Sequence, residues 1–165
     1  MRGKQAPKRK IKPDSKHNST LVSKFINYIM EGGKKSTAQT IVYDCFDELD
    51  ARIKKGKIDE KLYPSAVLVF DQAVKNVMPQ VEVKSKRVGG GNYQVPLPVR
   101  GDRRFFLALH WLINAARAKK GKPMAQKLAE EISLALINEG DSIKKRNDVH
   151  RMAEANKAFA HFARG

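Results

Sequence analysis

Val81-Glu-Val-Lys-Ser-Lys-Arg-Val-Gly-Gly-Gly-Asn-Tyr-Gln-Val-Pro-Leu-Pro-Val99 is where the chain changes its period. Val81 to Lys86 alternates at spacing two, and Tyr93 to Val99 does so again. Between them, Gly89-Gly90-Gly91-Asn92 can take the positive φ that a tight reversal needs. The segment is predicted to be a β-hairpin. Pro96 and Pro98 have no N–H for a ladder, so the second arm is expected at an edge or with irregular pairing. A two-stranded ribbon is marginal alone in water, so this one is expected to need a partner surface.

On both sides of the hairpin the spacing is helical. Leu21, Val22, Phe25, Ile26, Ile29 and Met30 share a face, with Ser19 able to cap the start and Gly32-Gly33 ending the pattern. A second helix from about Ser36 carries Ala38, Ile41, Val42, Cys45, Phe46, Leu49 and Ile53. It stops at Lys54-Lys55-Gly56-Lys57, where cations meet the negative helix end. Tyr63-Pro64 opens a third on Ala66, Val67, Phe70, Ala73, Val74 and Val77, and Pro79 stops it. After the hairpin, a fourth helix runs from Asp102 to near Gly121 on Phe105, Leu109, Leu112 and Ala116. A fifth begins around Pro123, with Met124, Leu128, Ile132, Ala135, Leu136 and Ile137 inward, and stops at Gly140. A sixth starts at Asn147 or Asp148, with Met152, Ala153, Ala155, Asn156, Phe159 and Ala160 as its less polar positions. The expected fold is mainly α: a single bundle of about six helices, a protruding β-hairpin between the third and fourth, and a basic N-terminal arm. Residues 1–18 are the arm, where seven cations (Arg2, Lys4, Lys8, Arg9, Lys10, Lys12 and Lys16) face the single acid Asp14. Pro7 and Pro13 interrupt any helix there. Residues 19–165 are the helical domain, with the hairpin at about 81–99.

The chain has 165 residues, 41% of them hydrophobic, which is enough to bury a core without staples. Lys plus Arg is 33 and Asp plus Glu is 17, a net charge of +16. Such an excess repels itself unless a polyanion neutralises it, so nucleic acid is the leading partner and an anionic membrane surface the weaker rival. No apolar run approaches the ~18 residues of a membrane span, and no apolar stretch follows the basic N-terminus as a secretory signal requires. The lone Cys45 cannot form an internal disulfide or a cysteine-rich zinc site, and its apolar neighbours predict a buried thiol. His17, His110, His150 and His161 are scattered without metal-binding spacing. Gly32-Gly33-Lys34-Lys35-Ser36 lacks the upstream strand and the spacing of a phosphate loop. Glu130-Glu131 falls in an ordinary amphipathic helix, with nothing to pair it for acid–base work. The expectation is a non-enzymatic protein of a soluble, reducing compartment, with no cofactor and no metal.

The candidate contacts are therefore cationic. Lys84, Lys86, Arg87, Arg100, Arg103 and Arg104 surround the hairpin and the start of the fourth helix. Gly89 and Gly90 let backbone approach backbone. Tyr93 supplies a stacking face and Gln94 an amide that can read bases. Arg103 and Arg104 stand in a first helical turn, where the dipole disfavours cations unless an external phosphate sits nearby. Arg117, Lys119, Lys120, Lys122 and Lys127 flank the next turn, and Lys144, Lys145 and Arg146 the one after, with Arg151 and Lys157 along the last helix. Trp111 is a packing residue, in the core or at its edge. Separate patches imply an extended polyanion met at many points, with steep salt dependence. A ribbon and a flexible arm suit irregular RNA better than a regular duplex.

The run Val81 to Pro96 closely resembles the signature of the family of bacterial small-subunit (30S) ribosomal protein number seven. So do Met30-Glu-Gly-Gly-Lys-Lys-Ser-Thr-Ala, Asn76-Val-Met-Pro, the stretch from Arg103-Arg104 to Trp111, and Asp148-Val-His-Arg-Met-Ala-Glu-Ala-Asn-Lys-Ala-Phe-Ala-His-Phe. The resemblance covers Lys10 to Phe162. It implies a structural protein of the cytoplasmic ribosome that binds the 3′ major domain of 16S ribosomal RNA and starts assembly of the head. It also implies a place near the messenger and the exit-site transfer RNA, beside the ninth and eleventh small-subunit proteins. The resemblance implies that the arm around Lys8 to Lys12, with Arg103 and Arg104, holds ribosomal RNA; with the charge clusters, the expected set is Arg2, Lys4, Lys8, Arg9, Lys10, Lys12, Lys34, Lys35, Arg100, Arg103, Arg104, Arg117, Lys119 and Lys120. Lys84, Lys86, Arg87, Gly89, Gly90, Tyr93, Gln94, Arg151 and Lys157 would face messenger and transfer RNA. Charge alone also permits a non-enzymatic, DNA-binding protein of the nucleoid type. The chain departs from the family pattern in a longer stretch from Lys54 to Tyr63, in Gly91-Asn92 at the hairpin tip, and in its ending Ala163-Arg164-Gly165.

Overall fold

The first helix, α1 (Thr20–Ile29), begins at the residue the sequence offers as its cap: the Ser19 hydroxyl accepts from the Val22 N–H at 3.4 Å. The computed structural model describes residues 3, 6, 10–56 and 58–164. After α1 come α2 (Lys35–Lys54), α3 (Ala66–Val77), the strands β1 (Val81–Val88) and β2 (Gly91–Pro98), α4 (Gly101–Ala118), α5 (Met124–Leu136) and α6 (Asp141–Ala155). A 3-10 segment, Lys157–Arg164, follows α6. Arg2, Lys4, Pro7, Lys8, Arg9, Lys57 and Gly165 lie outside the described residues.

The apolar stripes meet as their spacing requires. α5 packs against α2, α3, α4 and α6. Phe25, Phe46 and Phe70 join α1, α2 and α3, with Phe70 centred 4.8 Å from Phe25 and 5.6 Å from Phe46. Leu109, Leu112, Leu128 and Ile132 are fully buried beside them. Cys45 is buried as expected, and burial pushes its thiol up to about 12, so it is neutral near pH 7. Trp111 is half-buried against this core. Ile137, expected inward, is instead 61% exposed: it is the C-cap of α5, and the chain turns there.

Two helix starts differ from the sequence reading, both because the cap comes from another helix. α3 starts at Ala66, so Pro64 stands before the helix rather than in its first turn; the N-cap Ser65 makes no side-chain capping bond, and the Asp50 carboxylate of α2 accepts from the Ala66 N–H at 2.9 Å. α6 begins at Asp141, well before Asn147. Gly140 takes φ 94, and Glu131 of α5 accepts from the Ser142 N–H at 2.9 Å and from its hydroxyl at 2.8 Å. Lys144, Lys145 and Arg146 are therefore helical rather than in a turn. α6 ends at Ala155, so Phe159 and Ala160 belong to the 3-10 segment.

The hairpin is regular. Gly89 (φ 56) and Gly90 (φ 88) form a two-residue turn of type I′ sign. The register runs unbroken from Val88↔Gly91 to Val81↔Pro98. A two-residue turn makes its flanking pair hydrogen-bonded, and pairs then alternate down the ribbon. Pro96 and Pro98 thus fall where the backbone nitrogen points away from β1. The bond from the Val99 N–H to the Gln80 carbonyl at 3.0 Å keeps the same phase. The second arm is an edge, as expected, without irregular pairing. Its partner surface lies within the chain: α6 and the 3-10 segment pack on it. At the base, His150 Nε2 accepts from the Gln80 N–H at 3.1 Å. Burial, with Arg146 nearby, lowers the imidazole's pKa, which keeps that nitrogen unprotonated and able to accept.

The acid in the basic arm is an anchor. Asp14 is buried and accepts from the Tyr43 hydroxyl at 2.9 Å and from the Lys16 and His17 N–H groups at 3.1 and 3.2 Å. Burial alone would raise this carboxyl; the hydrogen bonds from Tyr43, His17 and Lys16 outweigh it and hold Asp14 below the usual aspartate value. A carboxylate lowered on folding stabilises above its unfolded pKa of about 4 and loses that contribution as pH falls through the lower native value. Asp14→Asn is therefore expected to flatten the loss of stability between about pH 5 and pH 2, measured by urea unfolding across pH. An unchanged pH slope would remove the anchor from the account.

Candidate nucleic-acid interface

Glu82 organises the cations of the hairpin base. Its side chain, on β1, is 13% exposed and pairs with Lys84 Nζ at 3.1 Å and Arg103 Nε at 3.2 Å. The Arg103 guanidinium lies 4.9 Å from the centroid of Phe106. Beside it, Arg104 Nε donates to the Pro79 carbonyl at 3.0 Å. Arg100, the N-cap of α4, is exposed. One half-buried acid thus fixes two cations, and two arginines each use Nε for the protein. A guanidinium has five N–H donors, so its amino groups remain for a phosphate.

A second cluster joins residues far apart in sequence. Lys34 and Arg117 line one groove of about 600 Å³ with Glu31, Gly32 and Thr37. Arg117 pairs with Glu31 at 2.6 Å and donates to the Ile29 carbonyl at 3.4 Å. Lys35 is exposed in the first turn of α2, whose cap residue Lys34 makes no side-chain capping bond. Lys120 is exposed just after α4. Lys119 points the other way: its Nζ lies 2.7 Å from Glu131 Oε2, and its side chain is only 23% exposed.

On the hairpin itself, Arg87, Gly89, Gly90 and Gln94 are exposed. Lys86 and Tyr93 face each other across the ribbon. Lys86 Nζ donates to the Phe162 carbonyl at 2.8 Å, and the Tyr93 ring packs on Phe159 and Phe162. Arg151 is exposed on α6, paired with Asp148 at 2.8 Å, and exposed Lys157 opens the 3-10 segment. Lys10 and Lys12 are exposed on the arm, whose turn back onto α2 brings Lys16 Nζ to 3.1 Å from Asp47. Arg146 is used inside the fold, donating to the Asn76 carbonyl.

The sequence reading missed the roles of three side chains: Glu82 and Glu131, which hold cations, and Asn76, which closes the end of α5. Glu131 is fully buried, not one of an ordinary solvated pair. A signal existed, since it stands three residues after Leu128 and four before Ala135, inside the apolar stripe. Asn76 Nδ2 donates to the Ala135 and Leu136 carbonyls at 3.0 and 2.9 Å, closing the end of α5. Among the described residues no helix is long and apolar enough to cross a membrane.

Known proteins share this pattern along nearly the whole chain. Small ribosomal subunit protein uS7 of Thermotoga maritima is 52% identical over 162 residues, covering 98% of this chain and 99% of that protein. The protein of the same name from Chloroflexus aggregans is 51% identical over 157 residues, covering 95% and 94%. That from Desulfatibacillum aliphaticivorans is 48% identical over 161 residues, covering 98% and 97%. Residues 1–157 match the family described as ribosomal protein S7p/S5e. With helices, hairpin and cationic clusters all accounted for within that span, the chain belongs to the ribosomal protein S7p/S5e family.

Proposed function

We propose that the chain binds the 3′ major domain of 16S ribosomal RNA, nucleates assembly of the head of the small subunit, and lies near the messenger and the exit-site transfer RNA. The observation that carries this reading is the preorganised cluster at the hairpin base, where Glu82 fixes Lys84 and Arg103 while their remaining donors stay available. Positioned cations lose little freedom when a phosphate arrives. Arg100, Arg103, Arg104, Lys34, Lys35, Arg117 and Lys120 hold ribosomal RNA, helped by the arm with Arg2, Lys4, Lys8, Arg9, Lys10 and Lys12. Lys119 Nζ is held by Glu131, and its contact to ribosomal RNA uses the donors that remain. Lys84, Lys86, Arg87, Gly89, Gly90, Tyr93 and Gln94, with Arg151 and Lys157, form the messenger and transfer-RNA side. The ninth and eleventh small-subunit proteins are its neighbours in the cytoplasmic ribosome.

The test is a filter-binding competition between a folded 3′-domain RNA fragment and random duplex DNA of equal length, repeated over a salt series. The expected result is a preference of about a thousandfold or more for the folded fragment, with log K falling linearly in log salt. Comparable affinity for the two would replace this reading with the nucleoid-type one.

A further inference from the structure

The cross-strand pair Lys86↔Tyr93 is covered by the chain's own C-terminal segment. Tyr93 packs against two rings, with centroids 5.1 Å from Phe159 and 5.4 Å from Phe162. Those two rings are nearly parallel, 13° apart, with centroids separated by 6.3 Å. Lys86 Nζ donates to the Phe162 carbonyl at 2.8 Å. One face of the ribbon thus holds flat aromatic surface on a tyrosine and an oxygen on an ammonium. A nucleotide offers the same pair of features, a base and a phosphate oxygen, in adjacent positions.

We propose that the Tyr93–Lys86 face is a binding site for an unpaired RNA nucleotide, and that the strap Lys157–Arg164 occupies it until RNA displaces the strap. This rests on the reading above only for the class of ligand.

The strap is built to yield. It is an eight-residue 3-10 run, a geometry that rarely persists beyond about four residues because its hydrogen bonds are poorly aligned. It packs on β2 and α6, and none of residues 157–162 belongs to the buried core cluster. The Phe162 carbonyl on Lys86 is uncharged, and a phosphate oxygen there would bring the opposite charge to the same ammonium.

The test compares the full chain with its Phe159→Ala/Phe162→Ala variant. The probes are a labelled single-stranded oligouridylate and, in a parallel arm, a deacylated transfer RNA. The double variant is expected to bind about threefold to tenfold more tightly in at least one arm. Adding Tyr93→Ala is expected to abolish that gain. A gain with the oligouridylate alone assigns the site to a messenger-like strand, and a gain with transfer RNA alone assigns it to that ligand. Unchanged or weaker binding in both arms overturns the proposal, as does a gain that survives without Tyr93. Unfolding followed by Trp111 fluorescence keeps a folding defect from passing as a result. The folded 3′-domain fragment serves as a third probe. If the unaltered chain ignores it, the reading of function fails whatever the strap does. If the chain binds it while both displacement arms stay flat, only the strap proposal fails.

Discussion

Glu131→Ala is expected to lower stability by about 3–5 kcal/mol, the range for removing one partner of a buried ion pair. The carboxylate is fully buried in α5 and serves two neighbours at once. Oε2 faces Lys119 Nζ at 2.7 Å, at the end of α4, and Oε1 accepts from Ser142 at the start of α6. Removing it strands a half-buried ammonium and leaves the first turn of α6 without its negative partner. For a chain of this size the melting temperature should fall by about 6–20 °C. Glu131→Gln can still accept from Ser142 but cannot neutralise Lys119, so it should lose less. Combining Glu131→Ala with Lys119→Met should recover part of the loss, because neither charge is then unpaired. Calorimetry on the three variants checks the order, and a single substitution that leaves the melting point where it was would contradict the assignment. Gly140 belongs to the same joint: a Cβ there would meet Glu131 Oε1 at 2.7 Å, on a backbone at φ 94.

Replacing Arg103 and Arg104 together by glutamine should weaken binding to the 3′-domain fragment by about one to two orders of magnitude at moderate salt. The slope of log K against log salt should become shallower by about two, one unit for each lost phosphate contact. Both side chains also brace the hairpin, through Glu82 and the Pro79 carbonyl, so a loosened ribbon would offer another cause. Glu82→Gln separates the two. It releases Arg103 and Lys84, so binding loses their preorganisation but keeps both arginine contacts, and the salt slope should hold if phosphate contact is the cause. Equal losses in both variants, with the salt slope unmoved, would assign the arginines to bracing alone.

Local period carried most of the architecture into the sequence. Ser19 fixed the start of α1, the stripes over Phe25, Phe46 and Phe70 marked a shared core, and the glycines at 89 and 90 fixed the turn. What escaped it was long-range: Asp50 capping α3 from α2, and Glu131 capping α6 from α5. A helix whose cap lies elsewhere looks unstarted, which is why Lys144, Lys145 and Arg146 read as a turn. Of the candidate interface, the identity of the cations was legible because an excess of charge is visible residue by residue. Their orientation was not. Lys34 and Arg117 line one groove although one stands at the start of α2 and the other near the end of α4, and Lys119 turns inward to a carboxylate twelve residues on. Tyr93 read as an open ring because nothing near it in sequence names Phe159 and Phe162 as its neighbours.

The phase of Pro96 and Pro98 reaches beyond the ribbon. With β1 on one side, the opposite margin of β2 is where another extended chain would add, and at these two positions it has no hydrogen to donate. An incoming strand would find the half nearest the body closed to it. For a chain with so large an excess of charge, that stretch of β2 is one place where a second copy cannot zip on.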